Sequence, residues 1–135
     1  MENDNAELEA LRSEAIAYCN RGDFDKAITI HRDILTRYKD NDQACAYSYA
    51  SIGDIYLTLR ELELAVDYLK KALSYDPLNP KYHYLLGFAY SVSERWDGAI
   101  TEFEVSVKQQ PKDAEYLRGL GWALWSVGKK AKGFL

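Results

Sequence analysis

The chain has 135 residues, 47% of them hydrophobic and 28% charged, with three prolines. That balance suits one globular domain with a buried core and excludes a disordered chain. No apolar run approaches the ~20 residues that a membrane-spanning helix needs. The formal charge of −4, with scattered basic residues, supplies no stripe for nucleic acid.

The N-terminal stretch MENDNAELEALRSEA is acidic where a secretory leader is basic and then apolar, so a cytoplasmic location is expected. The next element is LRSEAIAYCNRGDFDKAITIHRDILTRY from Leu11, which reads as two amphipathic helices. KDNDQ at Lys39–Gln43 has the alternating aspartates of a calcium loop but lacks its glycine and distal glutamate, and is read as a helix-capping linker. Tyr49, Ile52, Gly53 and Tyr56 then mark the apolar stripe of a third helix, and Ala65, Leu69, Ala72 and Leu73 that of a fourth. Pro77 stops that helix, and Pro80 sits in the first turn of the next, where its missing N–H costs nothing.

From there the chain copies itself. YASIGDIYLTLRELELAVDYLKKALSYDP from Tyr49 lies over HYLLGFAYSVSERWDGAITEFEVSVKQQP from His83 at a 34-residue step, and that stretch lies over LRGLGWALWSVGKKAKGFL from Leu117. Gly53, Gly87 and Gly121 share one column, Ala65, Ala99 and Gly133 another, Pro77 and Pro111 a third. The first copy needs a 38-residue step, so about one helical turn is inserted around Tyr38–Gln43. Small residues in the glycine and alanine columns let paired helices approach closely, with Tyr56 and Tyr90 filling the space beside them. No pair can bury its face alone, so the units must stack.

This pattern of aromatic, Leu-Gly, Tyr, Ala, aromatic, Ala and Pro at a 34-residue period resembles the tetratricopeptide repeat (TPR) family over residues 8–135. The resemblance implies an all-α, right-handed α-solenoid of stacked antiparallel helix pairs. One domain, residues 1–135, would hold repeats at about 8–41, 46–79 and 80–113 and a truncated fourth at about 114–135 that stops midway through its second helix. The first copy departs from the pattern at Glu14, His31 and Lys39, as a polar terminal cap would.

A search for chemistry returns little. His31 and His83 are the only histidines, both in columns of packing residues, and no nucleophile–base arrangement surrounds them. Cys19 and Cys45 lack metal-ligand spacing and are read as free buried thiols, and Lys129, Lys130 and Lys132 as a solvated helix end. No catalytic residue, metal site or cofactor is expected.

In the TPR family the first helices of successive repeats line a concave groove that binds peptides or protein segments. At 100° per residue, its columns here are Glu9, Tyr47, Lys81, Glu115; Arg12, Ala50, Tyr84, Arg118; Ile16, Asp54, Phe88, Trp122; and Cys19, Leu57, Ser91, Trp125. The candidate partner-binding groove is therefore Arg12, Ile16, Tyr47, Asp54, Lys81, Tyr84, Phe88, Arg118, Trp122 and Trp125. Tyr84, Phe88, Trp122 and Trp125 are read as a contiguous apolar surface in which Gly119 makes room; Tyr90 is read as core and Tyr82 as packing on the preceding helix. The family's carboxylate clamp for heat-shock chaperones maps to Arg12, Ile16, Ser51, Lys81 and Leu85, where only two residues are basic, so a clamp is not expected.

The resemblance thus implies a non-enzymatic scaffold or adaptor that binds a protein segment or amphipathic helix, with no nucleic acid and no transmembrane segment. The alternatives are a head-to-tail homo-oligomer, in which Trp122, Trp125, Phe134 and Leu135 at an open C-terminal end dock on the Leu8–Ile16 helix of the next copy, and an interaction module of a larger enzyme or regulator.

Overall fold

The computed structural model describes the backbone of residues 2–131 and the side chains of residues 5–130. Seven helices and no strands occur among them: α1 Glu2–Asn20, α2 Phe24–Arg37, α3 Asp42–Thr58, α4 Leu62–Tyr75, α5 Pro80–Val92, α6 Trp96–Gln109 and α7 Ala114–Ala131. α1 packs on α2, α3 on α4 and α5 on α6, and each pair packs on the next through α2 with α3, α4 with α5 and α6 with α7. The result is an all-α solenoid of helix pairs, as the repeat implies.

The boundaries follow from local chemistry. Asn41 and Asn79 cap α3 and α5: Asn41 Oδ1 accepts from the Ala44 N–H at 3.0 Å, and Asn79 Oδ1 from the Lys81 and Tyr82 N–H groups at 3.0 and 3.2 Å. Pro80 opens α5 at its first turn, and α4 ends two residues before Pro77. KDNDQ is the capping linker the sequence implies. The extra residues of the first copy do not lengthen that linker; they add a helical turn to the start of α3, which has 17 residues against 13 in α5.

The turns between paired helices share one device. Gly22, Arg60 and Glu94 occupy one repeat column, and all three take left-handed backbone conformations, with φ of 81°, 63° and 60°. Gly128 stands next in that column, yet α7 runs through it to Ala131. The fourth repeat is therefore one helix, not a helix and a half, within the described residues. Lys132, Gly133, Phe134 and Leu135 lie outside them.

The core confirms the column logic. A Cβ at Gly53 would stand 2.8 Å from Leu69 Cγ, and one at Gly87 would stand 2.8 Å from the Phe103 ring, so only glycine permits these approaches. Ala65 and Ala99 are fully buried, and Tyr82 and Tyr90 are core residues. His31 is buried with its Nδ1 hydrogen-bonded to Ser48 Oγ at 3.2 Å. His83 fills its packing position through polar bonds, 2.9 Å to Glu102 Oε2 and 2.6 Å to the Pro77 carbonyl. Both cysteines are free; Cys45 is buried and Cys19 half-buried.

Candidate functional site

The face presented by α1, α3, α5 and α7 divides into a polar half and an aromatic half. In the polar half the Arg12 guanidinium lies 4.6 Å over the Tyr47 ring and donates to Glu9 Oε1 at 2.9 Å. Arg12 is thus already engaged within the chain. Its positive charge adds to burial in holding the His31 imidazole down, at about 4, so His31 is neutral at pH 7. Ile16 is exposed on α1. Asp54 keeps solvent contact on α3, but partial desolvation raises its carboxyl pKa while the Lys81 ammonium on α5 pulls the other way. Asp54 in turn adds to the burial that raises the Cys19 thiol.

In the aromatic half, Tyr84 is the hinge between α5 and α7. Its hydroxyl donates to Glu115 Oε1 at 3.1 Å, and its ring meets Tyr116 at 5.2 Å, Phe103 at 5.7 Å and Phe88 at 6.5 Å between centroids. Burial, then the Glu115 charge and hydrogen bond, push the Tyr84 hydroxyl up to about 12. Phe88 is 39% exposed, Trp122 54% and Trp125 48%. The two tryptophans stack at 4.9 Å and 27°, and Lys129 Nζ sits 4.3 Å over the Trp125 ring. Arg118 is exposed one turn before Trp122 and lowers the Tyr84 pKa by its charge.

The candidate residues thus resolve into local groups: Arg12 with Tyr47, Asp54 facing Lys81, Tyr84 with Phe88, and Trp122 with Trp125. Two positions of the groove columns turn inward, because Ala50 and Leu57 are buried. Gly119 also differs from expectation. A Cβ there would stand 2.9 Å from Phe103, so this glycine makes room for a core ring between α5 and α7, not for a ligand. Sequence reasoning missed Trp96 at the start of α6, which is partly buried against the core and meets Trp122 of α7 edge-on at 6.4 Å. Its only signal is its alignment with Leu62 and Phe24, positions that pack inward.

Among the described residues no three His, Cys, Asp or Glu side chains converge as metal ligands do, and no helix is long and apolar enough to cross a membrane. Two tetratricopeptide repeat models match the chain, one over residues 7–77 and one over 56–122. The chain belongs to the tetratricopeptide repeat family. This TPR chain is 29% identical over 112 residues to the Protein CTR9 homolog of Arabidopsis thaliana, a match covering 83% of the chain and 10% of that protein. It is 34% identical over 77 residues to Superkiller complex protein 3 of Homo sapiens, covering 57% of the chain and 5% of that protein. It therefore spans a tenth or less of these relatives.

Among solved structures, the Sgt2 TPR domain of Aspergillus fumigatus superposes with a TM-score of 0.82 at 21% identity, over 93% of this chain and 82% of that one. The first TPR of Spaghetti (RPAP3), bound to the HSP90 peptide SRMEEVD, gives 0.80 at 16% identity over 90% and 93%. MamA gives 0.76 at 21% identity over 97% and 69%. At these identities the likeness is one of fold.

Proposed function

We propose that this TPR chain is a non-enzymatic protein-interaction module whose groove face takes an apolar protein segment, in helical or extended form. The observation that carries the reading is the exposure of Phe88, Trp122 and Trp125 on helices whose other large rings are buried or hydrogen-bonded. Exposed rings of this kind supply hot-spot affinity when a partner removes them from water. Asp54, Lys81 and Arg118 flank them with charges that set orientation more than strength. That the RPAP3 domain holds a peptide on the same fold supports the mode of use. The engagement of Arg12 with Glu9 and Tyr47 disfavours a C-terminal carboxylate as the anchoring group. The small share of the curated relatives covered supports a second reading, in which the module serves a larger protein.

A phage-displayed library of random peptides tests the reading. Selected peptides should carry two or more large apolar residues and should lose binding to a Phe88→Asp variant whose helical circular dichroism is unchanged. Peptides that bind the variant as tightly as the original chain would remove Phe88 from the site.

A further inference from the structure

Among the described residues, one helix face has no partner. In α3 and α5 the stripe through Gly53 and Gly87 receives the second helix of the repeat, with Leu69 seated on Gly53 and Phe103 on Gly87. The same stripe on α7 reads Leu117, Gly121, Leu124, Gly128, at spacings of four, three and four. Leu117 is 45% and Leu124 53% exposed, and a Cβ at Gly121 or Gly128 would meet nothing within 4 Å.

We propose that this face is the seam of a two-fold homodimer, in which α7 packs antiparallel on α7 of a second copy. The argument is self-complementarity. With the axis beside Trp122, near the middle of α7, Leu117 falls on Gly128 of the second copy and Gly121 receives its Leu124. Every leucine then finds a glycine, the contact the chain already makes at Gly53 and, with a ring, at Gly87. The groove-side flank is complementary as well. It carries Glu115, Arg118, Trp122, Trp125 and Lys129 in order. Arg118 and Trp125 border the seam most closely, and the reversed order brings Arg118 of each copy toward the Trp125 ring of the other, a cation–π contact repeated at both ends.

Head-to-tail stacking fits less well. The α1 face that would receive the leucines aligns with Ile52 and Leu86, both buried, but presents exposed Glu14 beside exposed Ser13. Docking there would set the leucines of α7 against a carboxylate where the other repeats hold an apolar side chain. The seam flank shares Arg118, Trp122 and Trp125 with the groove reading, and Phe88 on α5, which takes no part in the seam, separates the two.

Sedimentation or light scattering from low to high micromolar concentration decides it. The expected result is a mass that rises from 15.5 kDa to twice that value and stops. Gly121→Leu places its side chain in open space in the monomer, so it should fold with unchanged circular dichroism yet raise the dissociation constant about tenfold or more. Leu124→Glu should hold the chain at monomer mass, and Phe88→Asp should leave self-association unchanged. A mass fixed at 15.5 kDa, a mass that climbs past two copies, or a dimer indifferent to Gly121→Leu would each overturn the proposal.

Discussion

Gly87 and Gly121 occupy one column of the repeat, yet the same substitution should act on them with opposite sign. At Gly87 an added Cβ would stand 2.8 Å from Phe103 Cδ1 and Cε1 and 3.2 Å from Cγ. The ring cannot retreat, because Gly119 of α7 closes on its other side at a spacing that leaves no room for a Cβ. Overpacking a filled core costs about 1–3 kcal/mol, and replacing glycine by alanine within a helix returns about 1 kcal/mol. Gly87→Ala should therefore destabilise the chain by up to about 2 kcal/mol. At Gly121 nothing lies within 4 Å, so only the helical gain remains, and Gly121→Ala should stabilise by up to about 1 kcal/mol. Urea unfolding followed by circular dichroism, at low micromolar protein, reads both as midpoint shifts at constant slope. A double-mutant cycle of Gly87→Ala with Phe103→Leu should show a coupling of about 1 kcal/mol, since the smaller side chain frees the space. Equal signs at the two glycines, or a stabilised Gly87→Ala chain, would refute the packing argument.

Two further predictions concern His31 and Asn79. His31 is buried, and its folded pKa of about 4 lies below the ordinary 6.5. The unfolded chain therefore takes up a proton there before the folded chain does. Stability is fully present above pH 6.5 and falls as pH drops toward 4, by about 2 kcal/mol between pH 7 and pH 5. Unfolding midpoints of the chain and of His31→Gln, compared at those two pH values, should show that slope only in the former. Asn79→Ala, which strips two backbone N–H groups of their acceptor at the start of α5, should cost about 1 kcal/mol in the same urea assay. A loss indistinguishable from zero would mean that solvent replaces the cap.

Much of the candidate site was legible because the repeat transfers position. Once Gly53 and Gly87 define a column, the residues a third of a turn away on each first helix follow from 100° per residue, and Phe88, Trp122 and Trp125 are indeed exposed there. The same argument puts Arg12 on α1 beside the Tyr47 column, but its contacts with Glu9 and Tyr47 depend on side-chain rotamers that no column reports. Gly119 shows how the argument fails. Its register alone points toward the groove, whereas the ring that needs the space, Phe103, arrives from another helix. Trp96 was overlooked because its column, with Leu62 and Phe24, packs inward, and its reach to the Trp122 ring is a contact between helices that no column reports.

By itself the sequence determined the helix-pair architecture, the close approaches at Gly53 and Gly87, the capping linker at Lys39–Gln43 and the family. These depend on periodicity, small residues and local hydrogen bonds, all of which recur at a fixed step along the chain. Only the tertiary structure decided where the fourth copy departs from the others. Gly128 stands in the column that turns at Gly22, Arg60 and Glu94, but α7 continues through it. Within a helix each added residue gains a backbone hydrogen bond, whereas a left-handed turn is favourable only when a second helix packs back on the first. With none packed on Leu117 and Leu124 among the described residues, the helix runs on and its apolar seam stays open.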